Sequence, residues 1–434
     1  MTQQEALNNL KKEVNTYCDT YFDFSFHPEK PIVRLHEPTV SGAEINAALE
    51  TMLSTFTTMG KKVRAFENQY AQYAGTKYGV MSNSGSSANL LAVAALANPF
   101  TKDYLKPGDE VIVPALSWST TIWPIIQHGL MPVIVDCNID DFNLDLNKLE
   151  AAIGPKTRAI KLVHVYGNPC NMDAIMSLAK KHNLFVIEDC CEAMGASYDG
   201  KAVGSFGHVG NLSFFFSHHI STMEGGISVT NDFDLTETMR ILRAHGWSRE
   251  ADEHQKYIKM YPEIDPRFIF INIGYNLRPT EVNAAIGQIQ LPKLDGFVEK
   301  RRETANFYRK YLAKYQDFFH FQSETPKGKH VWFGFPIILK DNAPFSVKDI
   351  TSYMQARHIE TRPIIAGNMA RHPAFKMYPH RIAGDLSSAD RVMHKGFAFA
   401  CHHAVDAAAR QYVVDAIDGF MAECVTKTKH KEMA

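Results

Sequence analysis

The 434-residue sequence has no apolar run near the ~18 residues that a membrane-spanning helix requires, and its first residues lack the apolar core of a secretory signal. Neither sign of charge is in excess, since 46 Lys and Arg stand against 47 Asp and Glu. That balance gives no electrostatic footprint for nucleic acid or an anionic membrane. The seven cysteines (Cys18, Cys137, Cys170, Cys190, Cys191, Cys401, Cys424) are scattered and odd in number, which argues against a disulfide framework and for a reducing, cytoplasmic setting. Internal repeats and low-complexity tracts are also lacking. With 45% hydrophobic and 21% charged residues, the chain has an ordinary globular composition, long enough for two domains.

What is present is alternation. Residues 111–113, 132–136, 159–165 and 185–187 are apolar and rich in β-branched side chains, and helix-type segments at 121–129, 145–153 and 173–182 separate them. This predicts an α/β fold with a largely parallel sheet covered on both faces, and ligand groups just beyond the strand ends. Three polar clusters fall there. Asn83-Ser84-Gly85-Ser86-Ser87-Ala88-Asn89 opens a helical run, where small residues either cap the helix or present N–H groups, hydroxyls and a dipole to a phosphate. Ser117-Trp118-Ser119-Thr120 offers an aromatic ring, read either as core or as a stacking surface. Glu188-Asp189-Cys190-Cys191-Glu192 offers carboxylates, with Asp189 read as a helix cap, a ligand group or both.

The chain is organised around residues 213–226, SFFFSHHISTMEGG, where His218 and His219 sit at a polar break between two apolar runs. An imidazole, with an ordinary pKa near 6.5, moves protons near neutral pH. The alternative is a pair of polar loop residues, with His219 either orienting His218 or facing away.

These clusters, with Arg243-Ala244-His245-Gly246-Trp247 and Gly274-Tyr275-Asn276-Leu277-Arg278 further on, resemble in order and spacing the DegT/DnrJ/StrS sugar-nucleotide aminotransferases over about residues 46–414. The resemblance implies the type I PLP-dependent aminotransferase fold. It divides the chain into an N-terminal extension (1–45), a large PLP-binding domain with a mixed, mostly parallel sheet (46–296) and a smaller C-terminal α/β domain (297–434). It implies pyridoxal 5′-phosphate (PLP) and pyridoxamine 5′-phosphate (PMP) as cofactor. Gly85, Ser86, Ser87 and Ser213 would lie at the phosphate, Trp118 on the pyridine ring, Asp189 at the ring nitrogen and Glu192 beside them. Asn276 would reach the phosphate of a neighbouring subunit in a homodimer with shared active sites. His245, Trp247, Arg249 and Arg278 would border a nucleotide sugar.

The sequence departs from the family at one position. His218 stands where the family carries the lysine that holds PLP as a Schiff base, a bond imidazole cannot form. A base without a tether resembles one branch, the nucleotide-sugar 3-dehydratases. That branch implies removal of the C3 hydroxyl of a GDP-linked 4-keto-6-deoxy sugar, on the route to colitose in O-antigen lipopolysaccharide. His218 would act as general base and L-glutamate would restore PMP, with ammonia and 2-oxoglutarate released. A CDP-hexose or heptose substrate stays open, as does a protein of this fold without the activity. Cys190 and Cys191 invite a metal, but residues 245–291 contain no cysteine, and an iron–sulfur cluster needs four ligands, so neither metal nor cluster is expected. Arg362 reads equally as a carboxylate ligand or an exposed ion pair, and residues 253–270 read as a loop.

Overall fold

The computed structural model describes the backbone of residues 1–432 and the side chains of residues 1–424. Seven strands, β1 (Tyr78–Ser82), β2 (Glu110–Pro114), β3 (Met131–Val135), β4 (Thr157–Val163), β5 (Phe185–Asp189), β6 (Val209–Ser213) and β7 (Gly226–Thr230), build most of one sheet. Its order is β1-β7-β6-β5-β4-β2-β3, and a short strand from the C-terminal part, Arg381–Ile382, adds in parallel beside β3. Only β7 runs against its neighbours. Alternate side chains feed two cores. Val111, Val113 and Ile134 pack into one, while Ile112, Val133 and Ile160 pack into the other, as expected of strands buried on both faces.

Helix α1 (Gln3–Tyr21) rests on α2 (Gly42–Leu53), where Lys11 pairs with Glu50 at 2.7 Å and Asn46 donates to Asn15 Oδ1. α3 (Lys61–Tyr73) and α4 (Gly85–Leu96) bracket β1 in sequence. α4 carries small or apolar residues on every side (Ala88, Leu91, Ala92 and Ala95 are fully buried), so it takes a central position in the core. α5 (Ser119–Gln127), α6 (Phe233–Arg243) and α7 (Glu281–Gln290) complete the cover.

α8 (Leu294–Leu312) joins two cores. Leu294 and Val298 pack with Met194, whereas Ala305, Tyr308 and Leu312 pack into a second, four-stranded antiparallel sheet. The strands of that sheet are Phe319–Phe321, Phe335–Leu339, Gly396–Phe399 and Thr361–Arg362, backed by a long C-terminal helix, Ala407–Glu432. The expected divisions at 45/46 and 296/297 thus lie inside α2 and α8. The stretch 253–270 is not a plain loop. It contains a helix, His254–Met260, none of whose residues is buried, so no apolar periodicity marked it in the sequence.

Candidate active site

The carboxyl ends of β2, β4, β5 and β6 face a cavity of about 390 Å³. Gly85, Ser86, Trp118, Asp189, Glu192, Ser213 and His218, all singled out by sequence, line it together.

At one end the start of α4 meets the end of β6. Ser84 caps the helix, its Oγ accepting the Ser87 N–H at 3.1 Å, which leaves the N–H groups of Gly85 and Ser86 without intrahelical partners. A Cβ on Gly85 would stand 2.4 Å from the Cβ of Ser213, so only glycine lets these two segments touch. Ser213 Oγ accepts the Phe215 N–H at 3.3 Å and keeps its own hydrogen to donate. Two free N–H groups, hydroxyls and a helix dipole make an anion cradle. Ser87 lies outside the cavity lining, and its hydroxyl is spent on Asn83 Oδ1 at 2.6 Å, holding the loop.

At the other end is Asp189, 4% exposed. Its Oδ2 accepts the Thr121 hydroxyl at 2.7 Å and its Oδ1 accepts the Cys191 N–H at 3.2 Å. Thr121 and Cys191 are lining residues that sequence reading missed. The available signal was a hydroxyl three residues beyond Trp118, on the inner side of α5. Trp118 itself keeps 52% of its surface exposed at the cavity wall, unlike a core tryptophan.

His218 is held by a tight turn. Phe214 is fully buried against Phe66 and Tyr70, and the His218 and Thr222 N–H groups bond back to the carbonyls of Phe215 and Phe214. The imidazole lies 5.1 Å from the Phe333 ring, and its Nδ1 has no hydrogen-bond partner. Burial, opposed by Asp189 and reinforced by Arg301 and Arg362, pushes its pKa down to about 4, so at neutral pH it is an uncharged base. His219 faces the other way, fully buried with Nε2 3.3 Å from the Val331 carbonyl. Glu192 accepts the Tyr166 N–H at 2.9 Å, and enclosure pushes its carboxyl up to about 7.

Beneath this floor, Lys161 of β4 is fully buried and its Nζ has no partner. Burial pushes its pKa down from 10.5 to about 8, against Asp189 and Cys191, which favour the ammonium. Between those values the unfolded chain binds the proton and the folded chain does not, so stability rises with pH through that window. Lys161→Met is expected to add about 2–3 kcal/mol at pH 7 and to flatten that rise. Urea melts at pH 7 and pH 9.5 check it. A methionine variant weaker than wild type at pH 7 would mean that the lysine anchors Asp189.

The buried trio His164, Glu188 and Cys190 has metal-like donors at close range, but they are occupied. Glu188 accepts the N–H groups of Gly204, Phe206 and Gly207. His164 Nδ1 accepts the Cys170 N–H, which leaves Nε2–H to donate to Glu188 at 3.2 Å. This is a brace across strand ends.

His245, Trp247, Arg249, Asn276 and Arg278 lie outside the cavity lining. Trp247 stacks on Phe268 and Phe270 and donates Nε1–H to the Arg267 carbonyl at 2.7 Å, with the Arg249 guanidinium 5.2 Å from its ring. Gly246, at φ +78°, is required there, because a Cβ would overlap the Asn272 carbonyl. Arg278 Nε donates to Asn276 Oδ1 at 3.0 Å, and His245, Arg249 and Asn276 are exposed.

An anion cradle, an open aromatic face and a carboxylate across one cavity fit a flat heteroaromatic ring bearing a phosphate and a protonated nitrogen, as in PLP. Known proteins agree. Residues 38–418 match the DegT/DnrJ/EryC1/StrS aminotransferase family. The chain is 42% identical over 368 residues to the GDP-4-keto-6-deoxy-D-mannose 3-dehydratase of Yersinia pseudotuberculosis, covering 84% of this chain and 92% of that protein. It is 34% identical over 393 residues to the GDP-perosamine synthase of Caulobacter vibrioides, covering 89% and 98%. A crystal structure of a GDP-4-keto-6-deoxymannose-3-dehydratase with a trapped PLP-glutamate geminal diamine superposes with a TM-score of 0.80 at 36% identity, covering 88% of this chain and 99% of that one. The chain therefore belongs to the DegT/DnrJ/EryC1/StrS aminotransferase family, with its PLP-dependent aminotransferase fold and a PLP/PMP cofactor.

Proposed function

We propose that this enzyme removes the C3 hydroxyl of GDP-4-keto-6-deoxy-D-mannose, as a lyase using L-glutamate to renew its cofactor. The observation that carries the reading is His218: an untethered, uncharged base at the mouth of the cofactor cavity, where relatives that keep an amino group on the sugar would use a lysine. When bound, the cofactor supplies an amine to the sugar carbonyl and an electron sink for the carbon that is deprotonated. The chain's own groups do the rest. Ser86, Ser213 and the N–H groups of Gly85 and Ser86 hold the phosphate. Asp189, fixed by Thr121 and the Cys191 N–H, keeps the ring nitrogen protonated. Trp118 fixes the plane of the ring, and His218 moves the proton.

Overall, glutamate and the sugar give 2-oxoglutarate, ammonia and a sugar with one oxygen fewer. Glutamate supplies the two electrons, so no reductase enters. We further assign the chain to a homodimer. The exposed His245, Arg249 and Asn276 lie apart from their own cavity, beside exposed Phe268, Phe270 and Ile273, as suits groups that complete a partner's site.

Incubation with PLP, L-glutamate and GDP-4-keto-6-deoxymannose should release ammonia and 2-oxoglutarate in equal amounts with a deoxygenated GDP-sugar. An amino sugar without ammonia would assign the enzyme to transamination instead. Turnover only with a CDP-linked sugar would move the substrate, not the chemistry.

A further inference from the structure

His218 is carried by residues 215–224, the connection between β6 and β7, which is closed by the Phe214 N–H on the Gly225 carbonyl at 2.9 Å. Its Nδ1 has no hydrogen-bond partner, so packing on Phe333 and the backbone of its own turn set where the ring sits. That backbone has a corner at Met223, held at φ 69°, a left-handed conformation that a bulky residue avoids. The methionine leaves 53% of its surface exposed, so its own burial does not hold the corner. Strain of this kind collects at functional sites, and it persists only where the surroundings impose it.

Here α7 imposes it. Asn283, in the first turn of that helix, donates Nδ2 to the Thr222 carbonyl at 2.8 Å and to the Glu224 carbonyl at 2.9 Å, on either side of Met223. The orientation of its amide is fixed, because Oδ1 accepts both the N–H and the hydroxyl of Thr280, the helix cap. About two turns on, along the same face, the fully buried Gln290 accepts the Ser221 N–H at 3.2 Å and the Thr39 hydroxyl at 2.7 Å on Oε1, while Nε2 donates to the Thr39 carbonyl and to Glu44. The helix is anchored in its turn. Glu281 is 4% exposed and accepts the N–H groups of Gly60, Lys62 and Val63, at the start of α3, each at 2.9 Å. Glu224, at the end of the clamped stretch, lines the cofactor cavity with His218, whereas Asn283 lies outside the lining and acts on the site only through this backbone.

We propose that Asn283 is a positioning residue for His218: by holding the carbonyls on either side of Met223 it fixes the turn, and through the turn the direction in which the imidazole meets the carbon that is deprotonated. The inference rests on the reading of His218 as the base.

The variant that separates this role from helix capping is Asn283→Asp. One carboxylate oxygen still accepts from Thr280, and negative charge suits the start of a helix, so the cap is kept. The other oxygen faces two carbonyls with nothing to donate, and the clamp opens. In the PLP-loaded enzyme, hydrogen exchange of the amides of residues 217–224 should rise about 10-fold, the loss of a hydrogen bond, with melting temperature, PLP affinity and the KM for GDP-4-keto-6-deoxymannose at wild-type values. Dehydration kcat and the rate of the glutamate-driven change in cofactor absorbance should both fall, by about 10²-fold, as for a catalytic group held out of line. In a His218→Asn background the same change should slow the residual turnover less than about twofold, because no base is left to misplace. Equal losses in both backgrounds, or unchanged exchange, would overturn the assignment and leave Asn283 a helix cap. A wild-type enzyme that dehydrates no nucleotide sugar would overturn the dehydratase reading instead, and the exchange and glutamate measurements would then decide the clamp by themselves.

Discussion

His218→Asn is expected to lower dehydration about 10³-fold while leaving PLP and GDP-sugar affinity near wild type. Asparagine occupies similar space and makes hydrogen bonds, but it does not accept a proton at neutral pH, and a positioned acid–base group contributes ~10²–10⁴ in rate. His218→Lys should be as poor in dehydration yet change the spectrum, because an amine at this place can bond the cofactor aldehyde. Cofactor absorbance together with ammonia release separates the two variants. The uncharged state of His218 also fixes the sign of the pH effect: the base is lost only as pH falls toward about 4, and activity on the alkaline side does not depend on it. An asparagine variant that dehydrates within threefold of wild type would remove His218 from the mechanism, and Glu192, at about 7, would be the next base to test.

The largest stability effect is expected at Glu67. It is fully buried on α3, and its Oε1 accepts Arg243 Nη1 at 2.6 Å and the Met81 N–H at 2.9 Å. Arg243, equally buried at the end of α6, also donates to the Met81 carbonyl, while its Nε and Nη2 have no partners. Glu67→Leu would strand a guanidinium in the interior, at a cost of about 3–5 kcal/mol. Replacing both residues by leucine should return most of that loss, since the uncompensated charge goes with the pair. Denaturant melts of the two singles and the double measure the coupling. A Glu67→Leu loss below about 1 kcal/mol would mean that water or rearrangement reaches Arg243. The pair matters for the site as well as the fold, because Arg243 opens the loop that carries His245, Trp247 and Arg249.

Much of the fold is legible in the residues themselves. Alternating strand and helix patterns gave the parallel sheet, because strands buried on both faces must be apolar throughout. The small residues at 84–87, the carboxylate at 189 and the histidine at 218 are visible because each stands at or shortly after a strand end, where the backbone turns and a polar side chain is otherwise unneeded. The stretch 253–270 hid its helix because a helix with no buried residue has no periodicity to read.

By itself, then, the sequence determined the residue types available: an imidazole, a carboxylate and a turn of small hydroxyl residues at a helix start. Only tertiary structure decided which of these groups share a cavity. It kept Ser87 as a loop brace, turned His219 into the core, gave Asp189 its Thr121 partner, set His245 and Asn276 apart from the cavity of their own chain, and brought Asn283 onto the turn that carries His218. The reason is physical. A residue's type and its local turn are written within a few positions of it, whereas desolvation and partnership depend on side chains that only the packing of distant strands brings within hydrogen-bond range.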